Sequence, residues 1–209
     1  MADGEALSPD GLKVRVAHRR NPYGYVLDDA ELDAVLLAAG LRRAASIWHH
    51  HTADETHVPR GTYPRAAMAF VLMDATAGPW ERNEEAVLGA VVIGDLGHTF
   101  LPNAAAKAGA HRRLGRTNGE AVHVDPHLLG AGGFRYGYSA QVRGQIVGAS
   151  GQSTDQDLYE AARLAADFVD AVNARHLSWE ERHSADIWAS RDGTPAAEYQ
   201  AMIDWFPAS

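Results

Sequence analysis

Residues 134–162, "FRYGYSAQVRGQIVGASGQSTDQDLYEAA", decide how the rest of the chain is read. Two apolar runs, FRYGYSAQV and QIVGAS, stand on either side of Arg143-Gly144, and glycine supplies the positive φ that a tight hairpin turn needs. The second run ends in a Gly/Ser turn in which Ser153 stands three residues before Gln156, the spacing of a capping box. Beyond it Leu158, Ala161, Ala165, Phe168, Val169 and Val172 fall on one stripe of a long helix. The segment therefore reads as hairpin, then helix.

Upstream, "RAAMAFVLMDATAG" and "EEAVLGAVVIGD" are two strand-length apolar runs joined through Thr76, Gly78 and Pro79. Between this pair and the hairpin, Pro102 and a run of alanines predict a helix to about Arg113. Ahead of the pair, Asp28 and Asp29 precede Leu32, Val35, Leu36 and Ala39, so a first helix is expected from about Asp29 to Trp48. The order is α-β-β-α-β-β-α. Strands that come in hairpins between helices imply an α+β class, an antiparallel sheet of about five strands with helices packed on it.

Composition narrows the partners. The chain has 209 residues, 46% of them hydrophobic, enough to bury the core of one domain. A net charge of -8, with no lysine block, repels a polyphosphate backbone, so no nucleic acid is expected. Cysteine is absent, which removes disulfides, thiolate metal sites and a cysteine nucleophile. The N-terminus lacks a signal-like apolar core and no run reaches the roughly 20 residues of a bilayer span. A cytoplasmic location without membrane contact is the expectation.

The last block is similar to a known family. "VRGQIVGASGQSTDQDLYEAA" resembles the C-terminal signature of the GlcG/HbpS family, the haem-binding or haem-degrading-like proteins, through Gly144, Val147, Gly148, Ala149, Ser150, Gly151, Gln156 and Asp157. "NAAAKAGAHRRLGRTNGE" resembles that family's second helix at Lys107, Ala108, Gly115, Arg116 and Thr117, and the likeness covers roughly residues 29–176. It leaves residues 1–28 as an extension and 177–209 as a helical tail with no counterpart. The resemblance implies a profilin-like fold and haem as cofactor, with Gly148, Gly151, Ser153 and Gln156 near its propionates and His111 among the possible ligands. Read physically, the glycines let backbone approach something closely and the helix start attracts an anion; close packing and helix capping explain the same residues.

Residues 46–65 depart from the family as a histidine-rich insertion. His49, His51 and His57, with His98 before the second helix, form a candidate divalent-metal set, since alternate residues such as His49 and His51 share a side of an extended segment. With Glu55, His49 and His51 approximate the H-x-H-x-x-x-E spacing of a cupin, although its second motif is matched only at Gly97, His98 and Asn103. The opposite reading is a solvated loop. His98 and His51 are candidate acid–base residues, and Lys107, four residues before His111, is a candidate anchor for an anionic ligand. His123 and His127 fit a loop.

No G-x-S-x-G elbow, dinucleotide fingerprint, P-loop or H-E-x-x-H is present. Trp179, Trp188, Tyr199, Met202, Trp205 and Phe206 make the tail too apolar for free solution, so packing on the domain or a homo-oligomer is expected. A sedimentation mass of one chain would remove the oligomer. Three functions remain open: a haem-binding protein; an enzyme, metal-dependent or cofactor-free, that converts a small carboxylate-bearing or aromatic metabolite with His chemistry; and a non-catalytic assembly module.

Overall fold

Strand β3 (Met68–Met73) is buried along its whole length, which places it inside the sheet. The computed structural model describes residues 3–53, 60–117, 120, 137–183 and 201–204. In it β3 pairs antiparallel with β4 (Val87–Ile93) on one side and β6 (Gln145–Ser150) on the other. β6 continues to β5 (Ala140–Val142), and β4 to β2 (Lys13–His18) and then β1 (Asp3–Leu7). The sheet is antiparallel throughout, in the order β1-β2-β4-β3-β6-β5. The α+β class stands.

Among the described residues there are six strands against the expected five or so, and residues 3–18, set aside as an extension, supply two of them. Their turn is chemically ordinary: Gly11 N–H donates to the Ser8 carbonyl at 2.9 Å, Ser8 N–H to the Leu12 carbonyl at 2.8 Å, and Pro9 sits at a position whose φ it already matches. Val14 and Val16 point into the core while Arg15 between them is exposed. At the hairpin between β5 and β6, Val142 pairs with Gln145. Arg143 and Gly144 both take positive φ, 47° and 86°, the signature of a two-residue hairpin turn.

Helix α1 (Asp29–Thr52) starts from a complete capping box, Asp28 accepting from Glu31 N–H at 2.8 Å and Glu31 from Asp28 N–H at 3.0 Å. It runs one turn beyond Trp48 and takes in His49–His51. That corrects the extended reading of the histidines: residues two apart on a helix point about 200° apart, so His49 and His51 do not share a side. Helix α2 (Leu101–Leu114) has Pro102 in its first turn and ends at Gly115. Helix α3 (Thr154–His183) begins at Ser153.

Alternation in β3 divides the core. Met68, Phe70 and Leu72 face α1 and α3, meeting Leu36, Ile47, Leu164 and Phe168. Ala69, Val71 and Met73 face α2 at Ala104 and Ala108. Small residues on both partners bring α2 so close to β6 that a Cβ on Gly148 would lie 2.1 Å from the Ala104 carbonyl oxygen and 2.7 Å from Ala108 N. Gly148→Ala is expected to force the helix off the strand and lower stability by about 1–3 kcal/mol, read as a lower urea midpoint.

Residues Met1–Arg175 form one compact unit and His176–Ser209 a second. In the second, Trp179 stacks on His183 at 4.3 Å, and Met202 and Ile203 are exposed. Trp188, Tyr199, Trp205 and Phe206 lie outside the described residues, as do Glu55, His57, His123 and His127. Among the described residues no helix is long and apolar enough to cross a membrane.

Candidate functional site

The turn from Gly148 to Asp157 is occupied by the fold itself. Gly151 has a φ of 148°, and a Cβ there would meet the Ala67 carbonyl oxygen at 2.6 Å. Ser153 N–H donates to Gln156 Oε1 at 3.2 Å and Gln156 N–H to Ser153 Oγ at 3.4 Å, a capping box. The Gln156 amide also donates to the Arg60 carbonyl at 2.9 Å. Lys107, expected to meet an anionic ligand, meets protein instead: its ammonium is buried and donates to Asp157 Oδ2 at 2.7 Å and to the Ala149 carbonyl at 2.9 Å. Burial pushes the Asp157 carboxyl above its usual range, against the pull of Lys107. Packing and capping thus account for Gly148, Gly151, Ser153 and Gln156.

The histidines of α1 separate. His49 is exposed, His50 is buried with Nδ1–H donating to the Ser46 carbonyl at 2.8 Å, and His51 Nδ1–H donates to the Tyr63 carbonyl at 2.8 Å. His50 also stacks on the Tyr63 ring at 4.5 Å. His98 is exposed in a three-residue-per-turn segment, Gly97–Phe100, with Nδ1–H donating to the Asp95 carbonyl at 3.1 Å; it borders a groove with Lys13 and Arg15. Among the described residues no three His, Asp or Glu come together as a metal centre. Arg112 on α2 is anchored on the carbonyls of Gly78 and Glu81.

His111 is different. It projects from α2 into the wall of a cavity of about 840 Å³, inside the roughly 300–1,000 Å³ range of small-molecule pockets. The wall combines apolar Leu158 and Ala162 with Arg116, Thr117, Glu120, Tyr138, Ser139 and Gln141. Ser139 Oγ lies 2.7 Å from His111 Nδ1, and the Gln141 side chain, on the same cavity wall, favours the charged form of the imidazole. Burial lowers the pKa of His111, partly offset by the Glu120 carboxylate, so the ring is neutral at pH 7.

Glu120 is held below the usual carboxylate range, first by the Thr117 N–H that donates to its Oε2 at 2.9 Å, and is therefore charged. Arg116 contributes a buried Nε with no hydrogen-bond partner. Tyr138, just before Ser139, has a φ of 72°, a conformation that costs a bulky side chain energy and recurs at functional sites. Sequence reasoning found His111 but not Ser139, Glu120 or Gln141. The pair His111 and Ser139 is separated by 28 positions and closes only when α2 packs behind β5 and β6.

By fold and site, the chain is an α+β protein whose described residues form a six-stranded antiparallel sheet with three helices and carry a buried serine–histidine pair in a cavity of mixed polar and apolar lining. No family model, curated protein or solved structure matches it.

Proposed function

We propose that the protein binds a small carboxylate-bearing or aromatic metabolite in the His111 cavity and acts on it by acid–base chemistry. The observation that carries this reading is a neutral, buried imidazole in the wall of a ligand-sized cavity. A neutral histidine accepts a proton near pH 7, the property of a general base. Arg116 offers a guanidinium whose Nε lacks a partner, suited to a carboxylate, and Leu158, Ala162 and Tyr138 offer surface to an apolar body.

Calorimetric titration with benzoate, phenylacetate and glycolate tests it. At least one is expected to bind saturably at one site per chain, and Arg116→Ala to weaken it by about tenfold, the loss of one charge-assisted hydrogen bond. Binding by none of them, or equal binding to the variant, overturns the reading.

The same residues support haem as a second reading. A haem iron asks the protein for only one or two axial ligands, and an imidazole whose Nδ1 is already engaged, as His111 is by Ser139, presents its other nitrogen to a metal. Arg116 suits a propionate. Arg116, Thr117, Glu120 and Gln141 give a small polar molecule more charged and hydrogen-bonding partners than haem would use, so haem stands second. When bound, haem would supply redox chemistry at its iron. A saturable Soret band on hemin titration, lost in His111→Ala, would reverse the order.

A further inference from the structure

We infer that Ser139 is a nucleophile activated by His111, and that the site hydrolyses small carboxylate-bearing esters through a covalent acyl-serine. This rests on the acid–base reading of the same cavity and names its reaction and substrate class.

The geometry supplies each part that such chemistry needs. Nucleophile and base are within hydrogen-bonding distance, 2.7 Å from Ser139 Oγ to His111 Nδ1, and both line the cavity although only 2% and 4% of each residue is exposed. A base must be oriented by a third group, and the Gln141 side chain, on the same cavity wall, and the Glu120 carboxylate both favour the positive charge that forms on the imidazole. Tyr138 holds positive φ beside the nucleophile, a strained backbone next to the reacting atom. Arg116 gives the cavity a cation for a substrate carboxylate, and Leu158 and Ala162 an apolar wall for the acyl chain.

The step balances without an added oxidant or reductant. Ser139 Oγ attacks the ester carbonyl carbon as its proton passes to His111 Nδ1. The tetrahedral adduct collapses, the C–O bond to the leaving group breaks, and the departing alkoxide takes the proton from His111 and leaves as alcohol. Water then gives a proton to His111 and adds to the acyl carbon; the Ser139 oxygen departs, recovers the proton, and the carboxylic acid is released.

Mono-4-nitrophenyl succinate, an ester with a free carboxylate, is the probe. Wild-type protein is expected to release a burst of about one nitrophenolate per chain, with an acyl adduct on the peptide that contains Ser139. Ser139→Ala should lose burst and adduct while keeping the wild-type circular dichroism, with the melting temperature lowered by only about 2–4 °C for the one buried hydrogen bond removed. His111→Gln should slow acylation by about a hundredfold or more, the usual contribution of a general base. Ser139→Cys retains a nucleophile and should restore the adduct, a rescue that a positioning role for Ser139 would not produce. No adduct on wild type, or an adduct that survives Ser139→Ala, overturns the inference. Carboxylate binding without an adduct would sink the hydrolysis and leave the binding reading intact.

Discussion

Lys107→Met is expected to lower the stability of the protein by about 3–5 kcal/mol, the cost of breaking a buried ion pair by removing one partner. An exposed lysine would lose at most about 1 kcal/mol. The difference follows from position: Lys107 is 4% exposed and its ammonium lies between Asp157 Oδ2 and the Ala149 carbonyl. Without it, Asp157 keeps one backbone donor, the Gln152 N–H at 2.8 Å, and a charge that water cannot reach. The sign of the pH dependence follows from burial, which already raises the Asp157 pKa; with Lys107 gone it rises further above its unfolded value. The variant's folded state then holds a proton that the unfolded chain releases above about pH 3.9, so its deficit grows as pH rises from there. Urea unfolding at pH 4 and pH 7 measures it. Lys107→Met/Asp157→Leu should recover most of the loss, because an apolar pair of similar volume leaves no stranded charge. A lysine that served only a ligand would show neither effect.

How much of this was legible depends on the range of each interaction. The hairpin at Arg143-Gly144 and the caps at Asp28 and Ser153 are fixed by residues within four positions of one another, and the sequence patterns match the structure there. The helix α1 ends later than Trp48 because three histidines in a row look like a polar loop, whereas on an alanine-rich helix they extend the last turn. Strands β1 and β2 were hidden by charge: Lys13, Arg15 and His18 alternate with Val14 and Val16, so the apolar content stays low although the period of two is present. Lys107 and His111 were rightly placed on one side of α2, yet that side meets the sheet, and only the packing decides that one ends on a carboxylate and the other on a serine. Ser139 carries no local signal, being one small polar residue ahead of a three-residue strand.

Glu160→Ala should cost as much as the loss of Lys107, about 3–5 kcal/mol, for a reason rooted in the other face of the sheet. Glu160 on α3 is fully buried and accepts three hydrogen bonds: from Arg43 Nη1 at 3.1 Å, Ser46 Oγ at 2.7 Å and Tyr63 Oη at 2.9 Å. Removing it strands the Arg43 guanidinium, leaving Asp167 at 3.3 Å as the counter-charge, and leaves two hydroxyls without their acceptor. Tyr63 stays protonated in either protein, since burial is the first cause of its raised pKa and the Glu160 charge only adds to it. Tyr63→Phe, which deletes one hydrogen bond and no charge, should cost only about 1 kcal/mol. The consequence reaches the histidine turn, because Tyr63 is also the stacking partner of His50 and its carbonyl is the acceptor for His51. If that anchoring holds the end of α1 in place, amide exchange from His49 to Thr52 accelerates in Glu160→Ala well beyond the change at the Asp28 cap, whereas uniform acceleration along α1 would mean that the network supports the whole helix and not its last turn.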